Sequence, residues 1–234
     1  MEGVIALVGS GEFTPALESV DRELLAATGR HRPRVAILPT ASGADGEAAF
    51  QRLAEMGRQH FAALGAEVEP VLVRDRAGAD DPANAQAVGE ADLVYISGGK
   101  AEHLDRVLRD SAVERALHAA HLRGAILAGA SAGAIMLGGH RFGLRRRPGW
   151  PIRWQPCLGF VPSVAVAPHY DAFPEALMLA IIVRRPRDCI VLGVDEETAL
   201  VGRGDAWQVQ GPGRVTVWRG RRRSRHRDGE IVRL

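Results

Sequence analysis

Ser131 lies in Gly129-Ala130-Ser131-Ala132-Gly133, directly after the apolar run Ala125-Ile126-Leu127-Ala128. A serine held between two glycines at the end of such a run is the pattern of a strand that turns sharply into a helix, with the hydroxyl exposed at the apex. The glycines omit the side chains that would collide where strand and helix approach, and the helix aims its first free N–H groups at the space before the hydroxyl, where an oxyanion would form. The chemistry would be nucleophilic attack on a carbonyl. The same residues also describe an ordinary small-residue turn around a buried serine, so the rest of the chain must supply a base and a group that orients it.

The α/β-hydrolase order of serine, acid, histidine fails here, because no Asp or Glu occurs between Ala132 and Pro168. The preferred base is His169, which directly follows the apolar run Val164-Ala165-Val166-Ala167; His140, just after the serine helix, is the main competitor, and His103 could reach the same rim from a helix after Gly99. An acid downstream of the histidine is available in Gly193-Val194-Asp195-Glu196-Glu197-Thr198, at the end of another apolar run. Alternation puts Asp195 and Glu197 on one side and Glu196 on the other, and without the register it does not choose between them. Ser97-Gly98-Gly99-Lys100 ends a third run, so the N–H of Gly98 or Gly99 could complete an oxyanion hole with that of Ala132.

Between serine and histidine lie Arg141, Arg145, Arg146, Arg147 and Arg153 with no acid in the same stretch to neutralise them. Such a loop is either a solvated basic segment or a cover for the cleft in which one guanidinium grips a substrate carboxylate. Gly9-Ser10-Gly11 lacks the third glycine of a dinucleotide fingerprint, position 14 being Thr, and no Walker lysine pattern occurs, so nucleotide binding is not expected.

The elements that would position these residues alternate. Val4 to Val8, Val35 to Leu38, Val68 to Val73, Asp92 to Ile96 and Ala125 to Ala128 read as buried strands; Ala16 to Ala27, Phe50 to Leu64 and Ala101 to Arg123, with a break near Asp110-Ser111, read as amphipathic helices. Two more strands, Val164 to Ala167 and Ile190 to Val194, flank a helix from Pro174 to about Arg184, and short β-type runs from Thr198 onward read as antiparallel strands at a sheet edge. The expected fold class is α/β: one open, mostly parallel sheet with helices on both faces, and the active site at the carboxyl ends of its strands.

The chain of 234 residues and 25.1 kDa has no linker-like stretch and no internal repeat, which implies a single domain over residues 1–234. It has no apolar run of membrane-spanning length and no signal-peptide pattern, so a cytoplasmic location and no membrane partner are expected. A net charge of +2 gives no field that would draw nucleic acid. The basic run from Arg219 to Arg227, with Trp218 its one aromatic neighbour, reads as a solvated, flexible tail or a hairpin turn. Cys157 and Cys189 read as core thiols rather than a disulfide framework or a metal cage.

Taken together, Ser97-Gly98-Gly99, Gly129 to Ala134, Pro168-His169-Tyr170 and Gly193 to Ala199 resemble the serine peptidase family of aspartyl dipeptidase (peptidase E) and cyanophycinase, in order from Val4 to about Ala199. The resemblance implies a class I glutamine amidotransferase-like, flavodoxin-like fold, with Ser131 as nucleophile, His169 as base, Glu196 as orienting acid and oxyanion N–H groups from Gly99 and Ala132. It also implies hydrolysis of small peptides with an acidic or isoaspartyl-type residue, a chemistry that needs no metal or cofactor; the expected assembly is a monomer or homodimer, between which the sequence does not choose. Lys100 stands where such dipeptidases commonly carry Asn, and Ala172-Phe173-Pro174-Glu175-Ala176 replaces the arginine-containing segment of cyanophycinases, so the apparatus transfers better than the substrate. The alternatives are a non-catalytic amidotransferase-like module that binds a metabolite or partner, and glutamine amidotransfer, which needs a cysteine at the elbow.

Overall fold

The computed structural model describes residues 2–144 and 152–234. Among them, an eight-stranded sheet is built from β1 (Ile5–Val8), β2 (Arg34–Leu38), β3 (Glu67–Pro70), β4 (Leu93–Ile96), β5 (Ile126–Ala130), β10 (Ala199–Arg203), β11 (Ala206–Gln210) and β14 (Ile231–Arg233), in the order β14-β11-β10-β1-β5-β4-β2-β3. Strands β1 to β5 are mutually parallel, with Val8 opposite Ala130 and Ile96 opposite Gly129, so their carboxyl ends share one edge. Strands β10, β11 and β14 extend that sheet antiparallel.

A six-stranded sheet holds the rest, where the sequence implied one sheet. Its strands are β6 (Gly138–Leu144), β7 (Ile152–Pro156), β8 (Val161–Ala167), β9 (Ile190–Val194), β12 (Arg214–Arg219) and β13 (Arg222–Arg227), in the order β13-β12-β9-β8-β6-β7. Strands β6, β8 and β9 pair in parallel, whereas the β6–β7, β9–β12 and β12–β13 pairs are antiparallel, so both sheets are mixed rather than purely parallel. The division arises where the serine helix ends: Gly138-Gly139 starts β6 at once, and a Cβ on Gly139 would stand 1.9 Å from the Pro162 carbonyl oxygen. That approach is open only to glycine.

Alternation sorts the core. Ala6, Val8, Val35, Ile37, Leu93, Tyr95, Ile126 and Ala128 pack beneath helices α1 (Glu18–Ala27) and α2 (Glu47–Ala63). On the other face Leu7, Leu38, Ile96 and Leu127 share one cluster with residues of α4 (Pro82–Glu90), α5 (Ala101–Leu108), α6 (Ala112–Leu122) and α7 (Ala132–Leu137), which also takes in Val164, Val166, Leu192, Val194, Val215 and Val217 of the second sheet. The far face of the second sheet, Ala165, Ala167, Val191 and Trp218, packs on Tyr170 and on α8 (Glu175–Ile182). The region before β4 carries α4 and the short α3 (Arg76–Asp80), which the sequence pattern had not marked.

The expected break in the helix from Ala101 falls at Asp110, with φ of 59°, and Ser111, whose hydroxyl caps α6 by accepting from the Glu114 N–H. The basic run is a hairpin rather than a flexible tail: β13 pairs with β12 from Arg219↔Arg222 to Arg214↔Arg227, and Arg223 and Arg225, on one side of that strand, both pair with Glu175 of α8. Two positive charges thus face one carboxylate that lies distant in sequence. No helix of the described residues is long and apolar enough to cross a membrane.

Candidate active site

Strand β5 delivers Ser131 in a backbone conformation that L-residues avoid, φ 48° and ψ −107°. Such a residue costs on the order of 1–3 kcal/mol and persists only where its surroundings enforce it. Here they do. The Ser131 N–H donates to the Val8 carbonyl at 3.0 Å and its carbonyl accepts from Ile135 N–H at 3.0 Å, opening α7. A Cβ on Gly129 would meet the Gly133 backbone at 2.5 Å, and one on Gly133 would meet the Ile96 carbonyl at 2.1 Å. The two glycines let strand, turn and helix close on one another.

The Ser131 hydroxyl lies 2.9 Å from His169 Nε2, and His169 Nδ1 lies 2.8 Å from Glu196 Oε1. A carboxylate accepts only, so Nδ1 carries the proton and Nε2 presents a lone pair to the serine O–H. His169 follows β8 in a left-handed conformation, φ 51° and ψ 38°, that turns its ring back over the strand end. Tyr170 anchors that turn from below, buried, with its hydroxyl accepting from Trp218 Nε1–H at 2.9 Å. Gly193 of β9 makes the room, since a Cβ there would lie 2.2 Å from the Tyr170 ring.

Among the three acids, the structure brings Glu196 to the histidine. Its backbone N–H donates to Asp171 Oδ1 at 3.0 Å, tying the acid's loop to the histidine's turn. Asp195 points inward, accepts from the Arg214 N–H at 3.0 Å, and has its carboxyl raised above the usual range by burial. Glu197 is exposed, with φ of 53°. Neither competing histidine joins the serine: His140 sits on β6 opposite Pro156 and Ala165, and His103 bridges the Arg74 carbonyl, 3.0 Å from Nε2, and the Arg106 guanidinium, 2.9 Å from Nδ1. Because arginine only donates, Nδ1 of His103 accepts from Arg106 and Nε2 donates to the Arg74 carbonyl.

Strand β4 brings the glycine pair beside the serine. The Gly98 N–H is already committed, donating to Glu12 Oε1 at 2.8 Å. Gly99, at φ 140°, presses against Ala41 so closely that a Cβ would stand 2.4 Å from its carbonyl carbon. The Gly99 and Ala132 amides donate to no loop or cap backbone acceptor among the described residues.

The arginines diverge from the sequence picture. Arg141 is 4% exposed and bonded to Glu102 at 3.3 Å and Asp105 at 3.1 Å, so it is neutralised by acids from α5 that lie far away in sequence. Arg153 is exposed on β7, and Arg145, Arg146 and Arg147 lie outside the described residues. A cavity of about 980 Å³ is lined by Lys100, Glu102, His103, Arg106, Phe142 and Phe173 among others, and Ser131 is not part of its wall. It abuts Lys100, the neighbour of Gly99, at one side and Phe173, at the end of the His169 turn, at another. Glu12, Asp171, Arg106 and the Tyr170–Trp218 pair escaped sequence reasoning. Gly193, inside a strand, was the one local signal of a close approach. Burial pushes the Cys157 thiol up to about 12 and Cys189 up to about 11, away from the reactive range. Among the described residues no group of three or more His, Cys, Asp or Glu side chains is placed to hold a metal ion.

The model of peptidase family S51 matches residues 5–210, which includes every residue of this site. The chain belongs to peptidase family S51. This serine-type peptidase is 27% identical over 223 residues to the cyanophycinase of Trichormus variabilis, covering 91% of this chain and 72% of that protein. It is 30% identical over 172 residues to the uncharacterized peptidase YgaJ of Bacillus subtilis, covering 73% and 70%. The crystal structure of a peptidase from an acI-B1 actinobacterium superposes with a TM-score of 0.90 at 31% identity, over 100% of this chain and 98% of that one. A putative peptidase E from Listeria monocytogenes EGD-e, at 17% identity and a TM-score of 0.64 over 91% of this chain, shares the fold.

Proposed function

We propose that this S51 peptidase hydrolyses small peptides carrying an acidic or isoaspartyl-type residue through a Ser131-His169-Glu196 triad. The observation that carries the reading is the continuous hydrogen-bonded path from the Ser131 hydroxyl through both ring nitrogens of His169 to Glu196. The Ser131 oxygen attacks the scissile carbonyl carbon as its proton passes to His169 Nε2, and Glu196 stabilises the resulting imidazolium. The Gly99 and Ala132 N–H groups face the developing oxyanion. The imidazolium then gives its proton to the leaving amine, and water, activated by the same nitrogen, releases the acyl group from Ser131.

The acidic character of the substrate is supported by the cavity between Lys100 and Phe173, whose wall bears Lys100 and Arg106 and one acid, Glu102, that Arg141 already engages. Lys100 is 3.6 Å from Asp45 in an exposed pair, and Arg106, bonded to His103, has no carboxylate partner among the described residues. A guanidinium so placed offers its planar fork to an incoming carboxylate, above an apolar floor of Phe142 and Ile181.

A serine-directed phosphonate probe followed by mass mapping tests the nucleophile, alongside a dipeptide-library screen of the wild type and Ser131→Ala. Labelling confined to Ser131, with hydrolysis of acidic dipeptides that the variant lacks, is the expected result. Labelling at another serine, or equal hydrolysis of acidic and neutral dipeptides, would overturn the role or the specificity respectively.

A further inference from the structure

Glu12 puts a carboxylate next to the nucleophile where catalysis alone would not want one. The loop after β1 holds it there by steric means: Gly11 and Phe13 both have positive φ, 82° and 63°, the Thr14 hydroxyl donates to the Gly11 carbonyl at 2.7 Å, and the Phe13 ring is buried 4.9 Å from that of Tyr95. The Gly98 N–H then fixes Oε1 at 2.8 Å. The point at which a Gly98 Cβ would stand is 2.8 Å from that oxygen and 3.3 Å from Ser131 Cβ, so carboxylate and serine border the same small space. Among the described residues Glu12 has no Lys, Arg or His partner, although Lys and Arg side chains make 14 ion pairs elsewhere.

A fixed negative charge beside a centre that itself becomes negative raises the barrier unless the substrate brings a compensating cation. A small peptide brings one at a fixed distance from its first carbonyl, the α-ammonium, one carbon away from the carbon under attack. The geometry points to Glu12 as the residue that recognises the free amino terminus of the substrate, with Oε1 kept by Gly98 and Oε2 left for the ammonium. This rests on Ser131 acting as the nucleophile, and it makes the enzyme an exopeptidase that cleaves the first bond. A blocked amino terminus would leave the carboxylate unpaired and would be rejected.

The test measures binding without turnover, by calorimetric titration of the Ser131→Ala protein with Asp-Leu and with N-acetyl-Asp-Leu. The free dipeptide is expected to bind about tenfold or more tightly than its acetylated form. Adding Glu12→Gln, which keeps an oxygen for the Gly98 N–H but loses the charge, should bring the ratio to within about twofold, and Glu12→Asp should keep at least about threefold of it. Equal affinity for both ligands, binding of neither, or a ratio unchanged in Glu12→Gln would overturn the assignment, the last showing a residue that only positions the Gly98 turn. Failure of the parent reading registers separately, as absence of hydrolysis and of Ser131 labelling in the wild type.

Discussion

The two sheets meet at the site with different means of control. The first sheet brings Ser131, Gly98 and Gly99 from the ends of β5 and β4, and it does so by steric exclusion: fully buried strands, backbone against backbone, and three glycines with no room for a methyl group. The second sheet brings His169 and Glu196 from the ends of β8 and β9, where the side chains are 37% and 52% exposed and are held by hydrogen bonds to Asp171 and to one another. Under the proposed roles, a sterically fixed nucleophile is insensitive to single polar changes, whereas a base held by exposed polar contacts can be tuned by them. The pairing fits the proposed chemistry, in which the attacking atom must be fixed in space while the imidazole must change its charge and partners during the cycle.

Removing the proposed reacting groups should have the largest effect and treat the two sides alike. Ser131→Ala and His169→Ala are each expected to lower kcat on the order of 10⁴-fold or more with melting temperature nearly unchanged, since triad members act as a unit. Glu196→Gln should leave more activity than either, and His140→Ala should change kcat less than about threefold. Steady-state hydrolysis of an acidic dipeptide checks all four. An essential His140 with a dispensable His169 would assign the base to the wrong strand.

Adding one methyl group separates the two sides. Gly133→Ala drives a Cβ toward the Ile96 carbonyl, 2.1 Å away on a buried strand, so the backbone must move and a loss of about 3 kcal/mol or more in stability is expected. Gly193→Ala instead meets the buried Tyr170 ring, a side chain rather than backbone, and displacing it should cost about 1–3 kcal/mol. Its signature is catalytic: displacing Tyr170 moves the His169 turn, so kcat should fall further than stability predicts. Denaturant unfolding and kcat measured on the same preparations decide it. Equal stability losses would erase the distinction drawn between the sheets.

How far the site was legible in the sequence follows the same division. The elbow was legible because a glycine on each side of Ser131 is a local requirement of backbone geometry, written within five residues. The strand ends carrying His169 and Glu196 were legible as apolar runs, yet the choice among Asp195, Glu196 and Glu197 needed the register of β9 against β8 and β12, which pairing across the sheet determines. The second sheet itself was hidden, because β6 follows α7 with only a glycine pair to mark the change of direction. Arg141 misled for a related reason: its neutralising acids, Glu102 and Asp105, sit 39 and 36 residues away and become neighbours only in the fold. Glu12 left no trace, since one acid after a Gly-Ser-Gly turn resembles any surface loop.

Asp171 probes the polar tether alone. Asp171→Ala frees the Glu196 backbone N–H without touching Ser131 or His169, so kcat should drop about tenfold while stability changes by less than about 1 kcal/mol. Asp171→Asn, which retains an accepting oxygen, should recover most of the loss. A result in which both variants match the wild type would mean that packing, not the tether, holds the acid loop.

The smallest effect is expected at Asp195, the acid that alternation turned away from the histidine. Burial raises its carboxyl above the unfolded value, so folding disfavours its charged form. That cost is present at pH above the folded value and fades as pH falls through it, because the native state then takes up its proton more readily than the unfolded chain does. Asp195→Asn carries no charge at any pH and keeps an oxygen for the Arg214 N–H. At neutral pH it should therefore be as stable as the wild type or more so, within about 1 kcal/mol, with kcat changed less than about threefold. Melting temperatures followed from about pH 8 to about pH 4 should show its advantage shrinking as the wild-type carboxyl protonates. An advantage that grew with acid, or a large loss of kcat, would mean that Asp195 works as a charged member of the site and that the contrast between inward and outward acids on this loop is misdrawn.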